Sequence, residues 1–165
     1  MIRSLAIALL ITLCIAGAVR AETVVIRNNG GGDITQFRER RARLARVDGE
    51  VRIEAKCLSA CTIFTTLPNA CVMPNAKIGF HGASPKSGIP SIDYVMDMRM
   101  GEYYRGDVRK RYESKWRFLA GGDEFHVISG TRLAELDPKI RLCDGPEQGG
   151  KRPRKHDPSK VLVNP

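Results

Sequence analysis

The stretch TVVIRNNGGGDITQFRERRARLARVDGEVRIEAKC, residues 23–57, decides the fold. It opens with a β-rich run over residues 23–27 that ends in a turn of asparagines and glycines. Asp33 is placed to cap a helix that the pattern extends to about Val47, because apolar side chains recur on one face and arginines cover the other. After a short turn, apolar and charged residues alternate over residues 51–56, as in a half-buried strand. The stretch therefore predicts a β-α-β unit with a right-handed crossover.

The rest of the chain continues this alternation. Residues 57–66 run from the strand into small residues and a short apolar helix, and residues 76–81 form another buried strand. A loop rich in glycine, proline and serine precedes a long helical stretch over residues 91–119, which Gly101 and Gly106 weaken and at which the helix can break. A short strand, a short helix and a last strand are expected at residues 125–128, 131–136 and 139–143. The pattern predicts a single α/β domain.

Residues 1–21 are predicted to be a cleavable signal peptide. Arg3 supplies a positive charge, residues 5–16 form an apolar segment, and Val19-Arg20-Ala21 forms a cleavage site. The apolar segment is too short to span a bilayer permanently. No later segment is apolar enough to cross a membrane, so we expect an exported protein, periplasmic or secreted, without a membrane span in its mature form. The alternative, a lipid anchor on Cys14, is disfavoured by the bulky leucine before it.

The chain is basic, with 27 lysines and arginines against 18 acidic residues and a formal net charge of +9. The surplus lies mainly in residues 38–46 and 151–155. Neither segment carries interleaved aromatic residues or a groove-reading motif, so we do not expect a nucleic-acid partner. We interpret the first segment as a solvated helix face. The second belongs to residues 145–165, which are polar and rich in proline and are expected to form a disordered tail.

Four cysteines remain after cleavage, namely Cys57, Cys61, Cys71 and Cys143. In an exported chain an even number favours disulfides, and four cysteines permit three pairings. Zinc is the competing interpretation, but the chain has no paired CxxC motif and its histidines are scattered, so we expect no metal and no cofactor. A Cys57–Cys61 bridge would flank Ser59, and Cys71 would then pair with Cys143. We favour this pairing, while a link from Cys57 or Cys61 to Cys143 stays open.

Three elements could carry chemistry. The sequence Asn-Gly-Gly-Gly at residues 29–32 lies before a helix, where backbone N–H groups suit an oxyanion or a phosphate, although no Walker motif follows. Ser59 lies among small residues where a strand passes into a helix, a place that can display a nucleophile. His81 ends a strand. Each has a structural explanation as a permissive turn, a small buried serine or a core histidine, but the combination of the three is more informative than any one of them.

Residues 28–64, followed by MPNAKIGFHG at residues 73–82, resemble the proteolytic subunit of the Clp protease and its exported relatives. These proteins have the crotonase-like fold. The resemblance implies a single-domain spiral of β-α-β units, a Clp-protease-like domain over residues 22–144, and assembly as a homo-oligomer. It covers residues 23–82 well and residues 91–143 loosely.

The resemblance also assigns roles to residues. It implies that Ser59 is the nucleophile, that His81 is the base in the motif Pro-Asn-x-x-Ile-x-x-His, and that the amides of Gly31 and Gly32 form the oxyanion hole. The acidic member of the triad is less clear from the sequence. The aligned position falls near Phe125, and we take the neighbouring Asp123 as the candidate.

The expected function is therefore an exported serine hydrolase, an ATP-independent peptidase that acts on peptide or acyl substrates. No ATPase partner is expected, because an exported protein meets no ATP and the chain lacks the segment by which Clp subunits dock their ATPase. The alternative is a non-catalytic binding or structural module on the same fold, with Ser59 and His81 retained as structural residues. A relative that handles acyl-CoA is disfavoured, because free acyl-CoA is cytosolic.

Overall fold

The computed structural model describes residues 22–84 and 86–144. The predicted signal peptide and the basic tail lie outside the described residues. No helix in the described part of the chain is long and apolar enough to cross a membrane. The elements in chain order are β1 Val24–Asn29, α1 Ile34–Leu44, β2 Val51–Leu58, a 3-10 helix Ser59–Thr66, β3 Ala70–Val72, β4 Lys77–Phe80, α2 Pro90–Gly101, α3 Gly106–Ser114, a 3-10 helix Trp116–Phe118, β5 His126–Ser129 and α4 Gly130–Leu136.

One mixed sheet organises the domain, and this confirms the predicted α/β class. Its strands lie in the order β1-β2-β4-β5, and β3 pairs with the first half of β2. β1, β3 and β4 run parallel to β2, whereas β5 runs antiparallel to β4. β2 is therefore the central strand, and the chain leaves both β2 and β4 at the same carboxyl edge.

The first β-α-β unit forms where the sequence predicts it. The Asp33 side chain accepts a hydrogen bond from the backbone N–H of Gln36 at 3.0 Å, which caps α1. The helix ends at Leu44, a turn earlier than expected. Its buried Phe37 stacks on Phe64 with the ring centroids 5.3 Å apart, so α1 is packed against the 3-10 helix Ser59–Thr66.

The helical stretch predicted over residues 91–119 is divided into two helices, α2 and α3, between the two glycines that weaken it. They are separated at residues 102–105, and Gly106 starts α3 with a φ of +55°. A Cβ atom on Gly106 would lie 2.8 Å from the carbonyl oxygen of Leu136, so glycine allows α3 to approach α4 closely. The expected last strand is reduced to a single parallel bridge between Leu142 and Val72.

Two disulfides join the cysteines in the favoured pairing, Cys57 with Cys61 and Cys71 with Cys143. All four side chains are buried. The second bridge ties the end of the described chain to β3, and the first spans the turn that contains Ser59. No cluster of potential metal ligands occurs within residues 22–84 and 86–144.

Candidate active site

Ser59 occupies the turn at which β2 ends and the 3-10 helix Ser59–Thr66 begins. Its φ is +55°, in the left-handed region, which non-glycine residues seldom adopt and which is often found at functional sites. The Thr62 hydroxyl donates a hydrogen bond to the Ser59 carbonyl at 2.6 Å. The Cys57–Cys61 bridge closes around the same turn. Ser59 is thus presented at the sheet edge in a conformation that its surroundings hold in place.

The glycine-rich turn after β1 packs directly against Ser59. A Cβ atom on Gly31 would lie 2.4 Å from the Cβ of Ser59 and 2.7 Å from the Leu58 carbonyl oxygen, and Gly31 has a φ of +88°. Only a residue without a side chain fits both this contact and this backbone conformation. The fold therefore brings together the two segments from which the sequence predicted a nucleophile and an oxyanion hole.

The backbone donors of this turn are not equivalent. The Gly31 N–H already donates to the side-chain Oδ1 of Asn29 at 2.9 Å. The Gly32 N–H has no hydrogen-bond partner among the described residues. Ala60 is the second residue of its 3-10 helix, so its N–H has no acceptor within that helix, and its nitrogen lies on the Gly31 side of the turn. Among the described residues, the amides of Gly32 and Ala60 are therefore the ones without a hydrogen-bond acceptor.

His81 leaves β4 at the same edge of the sheet. Leu58 on β2 is level with Gly79 on β4, so Ser59 and His81 follow neighbouring parallel strands, which lie about 4.8 Å apart. The imidazole is only 6% exposed. Its Nδ1 atom has no hydrogen-bond partner among the described residues, and a Cβ on Gly121 would lie 2.7 Å from it.

No carboxylate reaches the Nδ1 atom of His81 in the described part of the chain. Asp123 is exposed in the turn before β5 and makes no hydrogen bond or ion pair there. Phe125, the position that the resemblance aligns with the acidic residue, packs edge-on against the His81 ring at a centroid distance of 4.9 Å. The structure thus brings Ser59, Gly31 and His81 to one edge but does not join Asp123 to His81.

A buried charged cluster, which was not predicted from the sequence, lies beside His81. Asp97 on α2 is 1% exposed. Its carboxylate accepts hydrogen bonds from the Ala83 N–H at 2.6 Å and the Lys86 ammonium at 2.7 Å, and it forms an ion pair with Arg117 at 3.4 Å. This cluster fixes the segment that directly follows His81. A sequence signal exists, since Asp97 lies on the core-facing side of its helix, three residues before the buried Met100.

The electrostatic surroundings favour a neutral His81. Burial lowers the pKa of the imidazole, and the nearby Lys86 charge lowers it further. The backbone of Gly82 and the carboxylate of Asp97 oppose this effect without cancelling it. A neutral imidazole is the form that accepts a proton, so His81 suits the role of a base at neutral pH.

The sequence matches no protein-family model, and comparison with characterised proteins finds no significant relative.

Proposed function

We propose that this chain is an exported, ATP-independent serine hydrolase with a crotonase-like spiral fold, and that it cleaves peptides or small acyl substrates. The observation that carries the proposal is the left-handed turn that presents Ser59 against Gly31. A strained serine between a strand and a helix, with free amides beside it, is the arrangement of a nucleophile elbow. His81 ends the neighbouring strand and supplies a base.

The mechanism follows from these parts. His81 takes the proton from the Ser59 hydroxyl while the oxygen of Ser59 forms a bond to the acyl carbon. The electron pair of the carbonyl moves onto its oxygen, where the Gly32 and Ala60 amides stabilise the charge. Collapse of this intermediate breaks the bond to the leaving group, which receives the proton from His81. Water then repeats the sequence on the acyl-enzyme and restores Ser59.

The reaction is expected to be slow. Without a carboxylate on Nδ1, the tautomer of His81 and its protonated form are less well stabilised than in a complete triad, and loss of that partner costs up to about 10⁴-fold in a serine protease. We therefore place the enzyme among Ser-His dyads that acylate readily with activated substrates and turn over slowly.

The second candidate function is a non-catalytic binding module on the same fold. Its supporting observation is the Nδ1 atom of His81, which has no hydrogen-bond partner among the described residues, while the aromatic ring of Phe125 packs edge-on against the imidazole. In this case Ser59 and His81 would shape a pocket and form no covalent intermediate. The two candidates differ in the reactivity of Ser59.

A serine-directed fluorophosphonate probe tests the proposal. The full mature chain is expected to be labelled at one residue, and Ser59→Ala should reduce the labelling rate at least about 100-fold because the nucleophile is lost. Ser114→Ala, at the exposed end of α3, is the matched control and should be labelled like the wild type. Equal labelling of wild type and Ser59→Ala, or no labelling of either, would favour the binding module.

The labelling rate should also depend on pH. The pKa of His81 is lowered from the usual value of 6.5. As the pH rises, His81 therefore loses its proton and becomes a competent base at a lower pH than an ordinary histidine does. The rate is expected to rise with a midpoint below 6.5 and to be constant from about pH 7 to 8. Rapid-quench labelling between pH 4.5 and 8.5 measures this midpoint. A midpoint clearly above 6.5 would contradict the assignment of His81 as the base.

A further inference from the structure

Asn29, the last residue of β1, is a buried side chain with only half of its hydrogen-bonding groups used. It is 1% exposed. Its Oδ1 accepts the Gly31 N–H at 2.9 Å, whereas its Nδ2 is buried and has no partner among the described residues. An unpaired buried donor lowers stability, and most native buried donors are paired. Because the unpaired Nδ2 group of Asn29 lies near Ser59, the proposed nucleophile, we expect a bound ligand to supply its missing acceptor.

The strand pairing places Asn29 beside the nucleophile. Between Arg27 and Asn29 the register of β1 and β2 shifts, and Asn28 adopts a φ of +53°. As a result Asn29 lies level with Cys57, two residues before Ser59. An irregularity that re-aims one side chain next to a site is a known use of β-bulges.

The carboxamide of Asn29 and the Ser59 turn share one neighbour, Gly31. The carboxamide oxygen is bonded to the Gly31 amide, and Gly31 touches the Ser59 side chain and the Leu58 carbonyl. The Nδ2 atom is attached to the same carbon as Oδ1, so it belongs to the same small region. This bond occupies the Gly31 amide, which the family resemblance assigned to the oxyanion hole, and the unpaired Nδ2 donor belongs to the same carboxamide.

We propose that the Nδ2 group of Asn29 is a donor of the oxyanion hole and replaces the Gly31 amide in that role. The inference rests on the proposed hydrolase function. In the acylation step the Asn29 side-chain N–H would donate to the oxygen that gains charge, together with the backbone amides of Gly32 and Ala60. Oδ1 keeps its bond to Gly31, so one side chain both positions the turn and stabilises the charge.

Two variants separate these roles. Asn29→Asp keeps an oxygen acceptor for the Gly31 amide but removes the donor, and Asn29→Ala removes both. Loss of one oxyanion donor lowers kcat by about 10²–10³-fold. Both variants are therefore expected to be labelled by the fluorophosphonate about 10²–10³-fold more slowly, and to show the same loss in kcat with an activated ester while KM changes little. Asn28→Asp places the same new charge one residue away on an exposed side chain and should retain the wild-type rate.

The outcomes are distinct. If wild type is labelled and Asn29→Asp matches its rate, the donor role of Asn29 is overturned while the hydrolase proposal stands, even if Asn29→Ala is slow. If Asn29→Asp does not fold, Asn29→Ala decides, since a wild-type kcat in that variant overturns the inference. If wild type itself is not labelled, both proposals fall together.

Discussion

Replacement of Gly31 by alanine is expected to lower the labelling rate of Ser59 by at least about 100-fold, the loss that a displacement of about 1 Å can produce in an active site. The added Cβ would lie 2.4 Å from the Ser59 Cβ and 2.7 Å from the Leu58 oxygen. Neither neighbour can rotate away, since one is bonded directly to its Cα and the other is a backbone atom. The turn must therefore move away from Ser59.

The neighbouring glycine provides the matched control. A Cβ on Gly30 would meet no atom within 4 Å, and Gly30 does not have a positive φ. Gly30→Ala should therefore be labelled like the wild type. The thermal midpoint of each variant shows whether the loss is local, because Gly31→Ala is also expected to be destabilised by about 1–3 kcal/mol through overpacking. If the two variants are labelled equally fast, contact with Gly31 does not position Ser59.

Replacement of Asp97 by alanine is expected to cost about 3–5 kcal/mol of folding stability, the usual effect of removing one partner of a buried ion pair. The variant would leave Lys86 and Arg117 facing each other without a counter-charge and would free the Ala83 amide. For a domain of this size the loss corresponds to a fall of roughly 10 °C or more in the melting temperature. Thermal unfolding followed by circular dichroism measures it.

Two further variants test the explanation. Asp97→Asn keeps acceptor and shape but removes the charge, so its melting temperature should lie between those of wild type and Asp97→Ala. Asp107→Ala breaks an exposed pair with Lys110 and should leave the melting temperature unchanged, since surface pairs contribute little. If the melting temperature of Asp97→Ala equals that of the Asp107→Ala control, the cluster does not hold the segment after His81.

Much of the first half of the fold could be predicted from local signals. Short stretches of sequence predict the Asp33 cap, the turn residues after β1 and the alternation of apolar and charged residues over β2. These features place Ser59 and Gly31 at one edge of the sheet. Gly101 and Gly106 indicated where the helical stretch over residues 91–119 could break, but the reason for the break lies outside this segment. Gly106 is needed there because α4 approaches α3 from a distant part of the chain, and periodicity carries no information on that contact.

The surroundings of His81 show the same limit. Phe125 reaches the imidazole because β5 pairs antiparallel with β4, with His126 level with Phe80. Asp97, in the middle of α2, contacts Ala83 and Lys86 in the segment that follows His81. Neither contact follows from spacing along the chain, so the sequence identified the histidine but not what surrounds it. The use of Asn29 was hidden for a related reason, because an asparagine before glycines is read first as a turn residue.

The burial of the bridge between Cys57 and Cys61 determines when this disulfide can form and when it can be reduced. Both sulfur atoms are sealed from solvent, and thiol–disulfide exchange requires an attacking thiolate to touch one of them. The bond must therefore form while the core is still open, and no reductant can reach it afterwards unless the surrounding structure opens. The redox conditions during folding therefore determine whether the Ser59 turn is bridged. Later changes in the redox potential around the folded protein leave the bridge intact.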